Sequence, residues 1–331
     1  MQTRLLGRTG LTVSALGFGC GAVGGLMVRG AAADQTRAVA RAVEVGITYF
    51  DTAPSYGDGA SERNLGRVLA ELKPDVRLGT KVRLSDADKA SIATAVAASL
   101  EASLRRLGLD HVDLLQLHNA ITEADAPGSV TAGAVLEQVV PVFERLREQG
   151  KISFFGITAT GETDALHRVV GAGVLHTAQV PYNLLNPSVG ATAPPNYPAQ
   201  DYRNLLSALQ AAGMGAIGIR VLAGGALSAD ASRHPIASPP PQPIGSAASY
   251  EADLARARRL LPLVSEGYAA TLPEAALRYV IAHPAISTVL IGLATIEQLE
   301  QAIVAAEKGP LPPAALQRAA ELQHGFAGEG R

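Results

Sequence analysis

Residues 46–53 read Gly-Ile-Thr-Tyr-Phe-Asp-Thr-Ala, a short apolar run that ends directly on an aspartate. Short apolar, β-branched runs like this one recur along the chain between longer helical patterns, which is typical of parallel strands joined by crossover helices. Eight strands with alternating helices and no break in composition favour one closed (β/α)8 TIM barrel over residues 1–331. The predicted strands are Leu16 to Gly19, Ile47 to Phe50, Arg77 to Lys81, Val112 to Leu117, Ile152 to Ile157, Thr177 to Val180, Ala216 to Ile219 and Thr288 to Ile291.

Several features add to this repeat. Ser91 to Leu107 has apolar residues at helical spacing, which predicts a helix with one buried face. Arg4 to Val13 contains a Thr-Gly turn between apolar residues, which predicts a β-hairpin that plugs the N-terminal end of the barrel. Two long Pro-rich loops, residues 186–200 and 228–249, follow strands at the C-terminal face, so we expect both to cover a substrate site. The sequence of residues 312–324 predicts one further helix.

Composition excludes several classes of protein. The 331 residues are 18% charged with a formal net charge of −2, so no basic excess indicates a nucleic-acid partner. The single cysteine, Cys20, excludes an internal disulfide framework, and the histidines lack metal-ligand spacing, so we propose no metal. No stretch reaches the roughly 18 apolar residues of a membrane span, and no signal-peptide pattern opens the sequence. We therefore expect a cytoplasmic protein without a membrane partner.

Reactive side chains follow three successive predicted strands. Asp51 and Tyr56 come after the second strand, Lys81 ends the third, and His118 lies at the end of the fourth. In a TIM barrel, residues just past the C-terminal ends of the strands point into one shared mouth. Each of these strands is apolar up to its reactive residue, whereas an unrelated surface charge more often lies among polar residues. The spacing predicts that the four side chains share one site.

These segments resemble the aldo-keto reductase family. The resemblance implies an oxidoreductase that uses NAD(P)H to reduce an aldehyde or ketone, or NAD(P) to oxidise a sugar-like hydroxyl. It also implies that the family's catalytic tetrad maps onto Asp51, Tyr56, Lys81 and His118. The motifs that carry the resemblance are Gly46 to Ala53 with its continuation to Gly66, Gly79-Thr80-Lys81, Asp113 to His118, Gly150-Lys151-Ile152 with Gly156-Ile157-Thr158, and Leu222 to Gly225.

The tetrad has a physical logic. A hydride that arrives at a carbonyl carbon leaves an alkoxide, and a phenol with an ordinary pKa of about 10 protonates it sluggishly near neutral pH. We therefore expect the pKa of Tyr56 to be lowered by the Lys81 ammonium, which Asp51 would hold in place and keep charged. His118 can donate a hydrogen bond to the carbonyl oxygen, where charge develops.

Cofactor positions are also implied by the resemblance. Two residues would bond the nicotinamide carboxamide, the first strand would border the ring, residues 220–225 would cover the pyrophosphate, and residues 291–298 would hold the adenosine end. Asp51 apart, the predicted cofactor-binding residues are Gly19, Cys20, Thr158, Gln179, Ile219, Arg220, Leu222, Gly224, Gly292, Ala294 and Gln298.

The sequence departs from the family pattern around this cofactor. Ile219 stands where relatives usually place a tyrosine that stacks on the nicotinamide. Arg220 replaces a serine, and it either reaches the pyrophosphate or pairs with a carboxylate. No basic residue occupies Gly292, Ala294 or Gln298, although a 2′-phosphate favours charged donors. The choice between NAD and NADP therefore stays open.

Two rival functions use the same residues. A barrel lyase would use Lys81 as a Schiff-base amine, but Asp51 argues against this by keeping the amine protonated. A non-catalytic barrel subunit would sense bound nucleotide, and it would not need an intact tetrad. The sequence specifies a small carbonyl or sugar-like partner, but not which one, nor the direction of the reaction or the oligomeric state.

Overall fold

The structure, a computed structural model, describes residues 1–329 and contains a closed barrel of eight parallel strands. The prediction of a TIM barrel is confirmed, and all eight predicted strands are present. The second of them is Tyr49–Asp51, so the aspartate belongs to the strand itself. The strands are β1 (Thr3–Leu5), β2 (Thr12–Ser14), β3 (Leu16–Gly19), β4 (Tyr49–Asp51), β5 (Arg77–Val82), β6 (Val112–Leu117), β7 (Ala120–Thr122), β8 (Ser129–Thr131), β9 (Ile152–Thr158), β10 (Thr177–Pro181), β11 (Gly215–Ile219) and β12 (Ile286–Gly292).

The barrel strands follow one another in the order β3-β4-β5-β6-β9-β10-β11-β12, and β12 pairs with β3 to close the ring. Every barrel pairing is parallel, so the carboxyl ends of all eight strands meet at one face. The short strands β7 and β8 form a separate parallel pair after the end of β6. This arrangement places any residue that ends a barrel strand at a common mouth.

Helices lie between successive barrel strands and cover the outside of the barrel. The predicted helix in residues 91–107 is confirmed as Ile92–Leu107, and the residues that define its apolar face are all buried. In residues 1–329, no helix is long and apolar enough to cross a membrane. The helices are α1 (Leu26–Arg29), α2 (Ala32–Glu44), α3 (Ala60–Leu72), α4 (Ile92–Leu107), α5 (Ala132–Ala134), α6 (Val140–Glu148), α7 (Thr163–Gly171), α8 (Leu205–Ala211), α9 (Tyr250–Arg258), α10 (Pro262–Ser265), α11 (Leu272–Ala282), α12 (Ile296–Glu307) and α13 (Pro313–His324).

The N-terminal hairpin closes the end of the barrel opposite the mouth. Strand β1 pairs antiparallel with β2, and the backbone N–H of Arg8 donates to the carbonyl of Gly213, just before β11 begins. Leu6 and Val13 are fully buried, where they pack against the barrel interior at residues such as Leu114. Burial of each such side chain contributes about 1.5 to 3 kcal/mol, so the hairpin stabilises this end and leaves the other end for a site.

Candidate active site

A cavity of about 1300 Å³ opens at the carboxyl ends of the strands. Its volume exceeds the roughly 300 to 1000 Å³ of an ordinary small-ligand pocket, so it has room for a large ligand together with a smaller one. Every barrel strand contributes a lining residue, and all of these except Gln179, which lies within β10, are at the end of the strand or just beyond it. In strand order around the ring these residues are Gly19, Asp51, Arg83, His118, Thr158, Gln179, Ile219 and Gly292.

A buried ion pair joins Lys81 to Asp51 at one wall of this cavity. The Lys81 ammonium contacts Oδ1 of Asp51 and also donates to the carbonyl of Thr52 at 2.8 Å. The other carboxylate oxygen, Oδ2, accepts from the Tyr49 hydroxyl at 3.2 Å and from Nε2 of Gln179 at 2.7 Å. Burial is the largest single influence and works to lower the pKa of Lys81, but the contacts with Asp51 and Tyr56 together hold that pKa above its ordinary value. The ammonium therefore stays charged near neutral pH.

The geometry around this ion pair depends on a glycine in the neighbouring strand. Asp51 in β4 is paired with Gly79 in β5. A Cβ atom on Gly79 would lie 2.4 Å from the Tyr49 hydroxyl and 3.2 Å from Oδ2 of Asp51. Any larger residue would displace the groups that hold the carboxylate. Sequence reasoning missed Tyr49, although its position two residues before Asp51 places both side chains on the same face of the strand.

Tyr56 lies beside the ion pair and lines the cavity. Nζ of Lys81 is 4.9 Å from the centroid of the Tyr56 ring. Burial raises the pKa of Tyr56 above its ordinary value, while the Lys81 ammonium acts in the opposite direction without overcoming burial. The expected lowering of this pKa is therefore not found in the protein alone, because the desolvation of the phenolate is the larger effect. Tyr56 is protonated near neutral pH, in the form that donates a proton.

His118 completes the group of four. Its ring lies 5.9 Å from the Tyr56 ring, centroid to centroid, at an interplanar angle of 87°. Burial, with added repulsion from Lys81 and Arg83, lowers the pKa of His118 to about 3. The imidazole is therefore neutral and carries a single N–H donor. Its Nδ1 is buried and has no hydrogen-bond partner among residues 1–329. The structure thus brings all four predicted catalytic side chains to one wall of one cavity.

Comparisons with known proteins agree with this architecture. A model of the aldo/keto reductase family matches residues 15–324. The chain belongs to the aldo/keto reductase family. L-galactose dehydrogenase from Arabidopsis thaliana is 30% identical over 308 residues, which cover 92% of this chain and 88% of that relative. Pyridoxal 4-dehydrogenase from Microbacterium luteolum is 28% identical and covers 92% of each chain. The holo form of an aldo-keto reductase from Bacillus halodurans superposes with a TM-score of 0.71 at 25% identity, over 97% of this chain and 96% of the neighbour.

Eleven of the twelve predicted cofactor-binding residues of this aldo/keto reductase line the cavity. Thr158 and Gln179 are adjacent, and the Thr158 hydroxyl donates to Oε1 of Gln179 at 3.4 Å. Cys20 is the exception, because its side chain is buried behind the wall while its backbone N–H donates to the carbonyl of Asp51. Burial also raises the pKa of its thiol, so Cys20 is a small structural residue.

The loop after β12 is held closed by its own side chains. Oε1 of Gln298 accepts from the backbone N–H of Ala294 at 2.8 Å, and the Thr295 hydroxyl caps the start of α12. The amide oxygen of Gln298 is thus committed to the loop. Two lining cations that sequence reasoning did not place, Arg233 and Lys308, are engaged as well: Arg233 donates to the carbonyl of Gly224, and Lys308 pairs with Glu274.

Residues 228–249 cross the mouth of the cavity without forming a regular helix or strand. The backbone N–H of Ser238 donates to the carbonyl of Val23 at 3.0 Å, and Nε of Arg29 donates to the carbonyl of Ile236 at 2.5 Å. The loop therefore links the end of β11 to the segment after β3. This position agrees with the expectation that it covers the site.

Residues 186–200 do not cover the cavity, so the same expectation was wrong for this loop. None of these residues lines the cavity. Nδ2 of Asn186 donates to the carbonyls of Gln200 and Gly245, at 2.9 and 2.8 Å. The Asn186 side chain therefore bonds both within its own loop and to Gly245 of the covering loop. Residues 186–200 support the covering loop instead of covering the site.

Proposed function

We propose that the protein is an NAD(P)-dependent oxidoreductase that reduces aldehydes or ketones, or oxidises sugar-like hydroxyls, with Tyr56 as general acid and base. The observation that carries this proposal is the protonated Tyr56 phenol, set between the charged Lys81–Asp51 pair and the neutral His118 imidazole in one cavity. Dehydrogenases and reductases among the relatives support the same class of reaction.

The residues that line the cavity fit a dinucleotide. Seven glycines border it, and a glycine wall lets backbone N–H groups approach a pyrophosphate closely. They are Gly19, Gly21, Gly24, Gly128, Gly224, Gly225 and Gly292. We propose that Thr158 and Gln179 hold the carboxamide, that Leu222 and Gly224 lie along the pyrophosphate, and that Ala294 lies at the adenosine end. The bound nicotinamide supplies or accepts the hydride.

The protein's own groups manage the proton. In reduction, the Tyr56 hydroxyl gives its proton to the substrate oxygen, and the resulting phenolate is stabilised by the Lys81 ammonium. Asp51 keeps that ammonium charged and fixes its position. The single N–H of neutral His118 donates to the same substrate oxygen, where negative charge develops. In oxidation the phenolate takes the proton back, so the same groups serve both directions.

Two other functions, a Schiff-base lyase and a non-catalytic subunit, would use the same cavity. A Schiff-base lyase needs a free amine, but the Lys81 ammonium is held by both the Asp51 carboxylate and the Thr52 carbonyl. Borohydride in the presence of a carbonyl substrate would trap such an intermediate, and we expect no covalent adduct. A non-catalytic nucleotide-sensing subunit has one observation in its favour, a 28% identical relative from Schizosaccharomyces pombe named as a putative voltage-gated potassium channel subunit beta.

Turnover separates these possibilities. We expect oxidation of NADH or NADPH with at least one member of a panel of aldehydes, ketones and sugars, and reduction of NAD or NADP with the matching alcohol. Dinucleotide binding without turnover across the whole panel would favour the sensing subunit. We further propose that residues 1–331 form one barrel domain, that the protein works in the cytoplasm, and that its substrate is a small molecule.

A further inference from the structure

Two arginines that the proposed mechanism leaves unused line the cavity at its mouth. Arg83 follows β5 and Arg220 follows β11. These two strands are four places apart in a ring of eight, so they lie on opposite sides of the barrel. Positive charge therefore reaches the mouth from both sides of the tetrad.

Arg83 lies on the His118 side and is exposed to the cavity. Its guanidinium makes no hydrogen bond and no ion pair with any other residue in the range 1–329. It nevertheless acts on the reaction centre, because its charge helps to lower the pKa of His118. An arginine that lines the cavity near His118 with all five N–H donors unused is available to a ligand.

Arg220 lies on the Tyr56 side and is partly buried. Its one side-chain hydrogen bond within residues 1–329 is a long contact of 3.3 Å to the carbonyl of Gln242. The backbone at Arg220 has a φ of 54°, in the left-handed region that a residue with a side chain seldom adopts. The Arg220 carbonyl accepts from Nδ2 of Asn183 at 2.9 Å and from the backbone N–H of Ala223 at 2.8 Å, which holds this conformation. Strain of this kind is concentrated at functional sites.

Neither charge is balanced by an ion pair in residues 1–329. Arg220 forms no ion pair within the described part of the chain, and the carboxylate that acts on it, Asp253, accepts instead from the Ser246 hydroxyl at 2.7 Å. The carboxylates that line the cavity are already paired: Asp51 with Lys81, Glu274 with Lys308, and Glu300 with Arg41. Of the two ways sequence reasoning left open for Arg220, pairing with a carboxylate is therefore not the one found.

We propose that the substrate carries an anionic group, a carboxylate or a phosphate, which Arg83 and Arg220 bind while its carbonyl oxygen lies against Tyr56 and His118. This inference rests on the proposed function and adds the class of substrate to it. A partly desolvated guanidinium without an ion-pair partner is costly, and an anion relieves that cost. The planar guanidinium also binds a carboxylate or a phosphate through two parallel hydrogen bonds, which fixes the orientation of the rest of the molecule.

The test compares charged and neutral aldehydes with the same number of carbon atoms. One pair is 4-oxobutanoate and butanal, and the other is glyceraldehyde 3-phosphate and glyceraldehyde. We expect the wild-type protein to have a kcat/KM at least about tenfold higher for the charged member of at least one pair. The two pairs distinguish a carboxylate from a phosphate. Arg83→Gln should lower the charged-to-neutral ratio by about 10- to 100-fold, the usual effect of losing a charge-assisted hydrogen bond.

A matched control is Arg145→Gln, which removes an exposed charge on α6 outside the cavity and should leave the ratio unchanged. Arg220→Gln separates substrate binding from pyrophosphate binding. We expect it to lower the ratio, with Arg220→Lys retaining part of it. If Arg220→Gln instead weakens calorimetric binding of NADH or NADPH and lowers kcat/KM equally for both aldehydes, Arg220 holds the cofactor and the proposal is overturned. Equal kcat/KM values for charged and neutral aldehydes in the wild type would overturn it as well.

A binding measurement with succinate tests the anion site even when no carbonyl is turned over. Succinate titrated calorimetrically into the protein with NADH should bind, and Arg83→Gln should weaken that binding by about tenfold or more. Failure of every carbonyl to turn over, with succinate still bound through Arg83, would count against the proposed oxidoreductase alone. Turnover of neutral carbonyls without succinate binding or a charge preference would count against the anion site alone.

Discussion

Removing one member of the buried Lys81–Asp51 pair should destabilise the protein far more than removing both. Asp51→Asn leaves the Lys81 ammonium buried without its counter-charge, which typically costs about 3 to 5 kcal/mol. The cost has a ceiling, because the amine can deprotonate. For an amine with an ordinary pKa of about 10.4, this requires about 1.36 × 3.4, or roughly 4.6 kcal/mol, at pH 7. We therefore expect a loss of about 3 to 5 kcal/mol in the free energy of unfolding.

The double variant Asp51→Asn/Lys81→Met should recover most of this loss, because it removes both charges from the interior. Urea unfolding followed by far-ultraviolet circular dichroism measures Asp51→Asn, Lys81→Met and the double variant, since the chain has no tryptophan. The double variant should fold stably and still lack turnover, which would show that the pair is retained for chemistry.

The pH dependence supplies an independent check. In Asp51→Asn the folded-state pKa of Lys81 should fall below its unfolded value, so the unfolded chain binds the extra proton between those two values. The stability of this variant should therefore rise with pH up to about 10, towards that of the double variant. Two results would contradict this prediction: a wild-type unfolding midpoint for Asp51→Asn, or a double variant whose loss of stability equals the sum of the losses in the two single variants.

Three further predictions concern the cofactor, the covering loop and His118. Gly292, Ala294 and Gln298 supply no cation for a 2′-phosphate, so the affinity for NAD(H) should be within about tenfold of that for NADP(H). The variant Ala294→Arg should shift the selectivity towards NADP(H). A wild-type preference for NADPH above roughly 100-fold in a titration would contradict this. Residues 228–249 contain a single tryptic site, at Arg233. Bound dinucleotide should slow cleavage at this site because the loop lies over the cavity. Equal cleavage rates with and without dinucleotide would count against the covering role. Since burial lowers the pKa of His118 to about 3, the pH profile of kcat/KM for reduction should show no inflection from this histidine between pH 5 and 8. An inflection near pH 6.5 that disappears in His118→Asn would contradict this, because it would show that the imidazole titrates.

The barrel and the tetrad were predictable because local signals agree with the fold. Each strand is a short apolar run, and Asp51, Lys81 and His118 each come where such a run ends. In a parallel barrel that position alone places a residue at the mouth. The predicted face of α4 was correct for a similar reason, since helical periodicity reports burial directly.

What could not be predicted depends on contacts between distant parts of the chain. The path of residues 228–249 is set by backbone hydrogen bonds to Val23 and to the Arg29 side chain, which no local pattern encodes. Residues 186–200 have a similar composition but pack elsewhere. The raised pKa of Tyr56 also had no sequence signal, because it results from burial in a cavity whose walls come from all eight strands. The sequence shows Arg83 two residues after Lys81, but only the structure shows that its guanidinium has no hydrogen-bond or ion-pair partner within residues 1–329.

The proposed mechanism depends on the Tyr56 hydroxyl. The variant Tyr56→Phe removes that hydroxyl and keeps the ring that packs in the cavity wall. Turnover of the best carbonyl substrate should be measured together with calorimetric binding of the dinucleotide, with Tyr268→Phe, a tyrosine outside the cavity, as the control. We predict that turnover falls by roughly 100-fold or more while dinucleotide affinity stays nearly unchanged. Near-normal turnover in Tyr56→Phe, with the dinucleotide still bound, would contradict the mechanism.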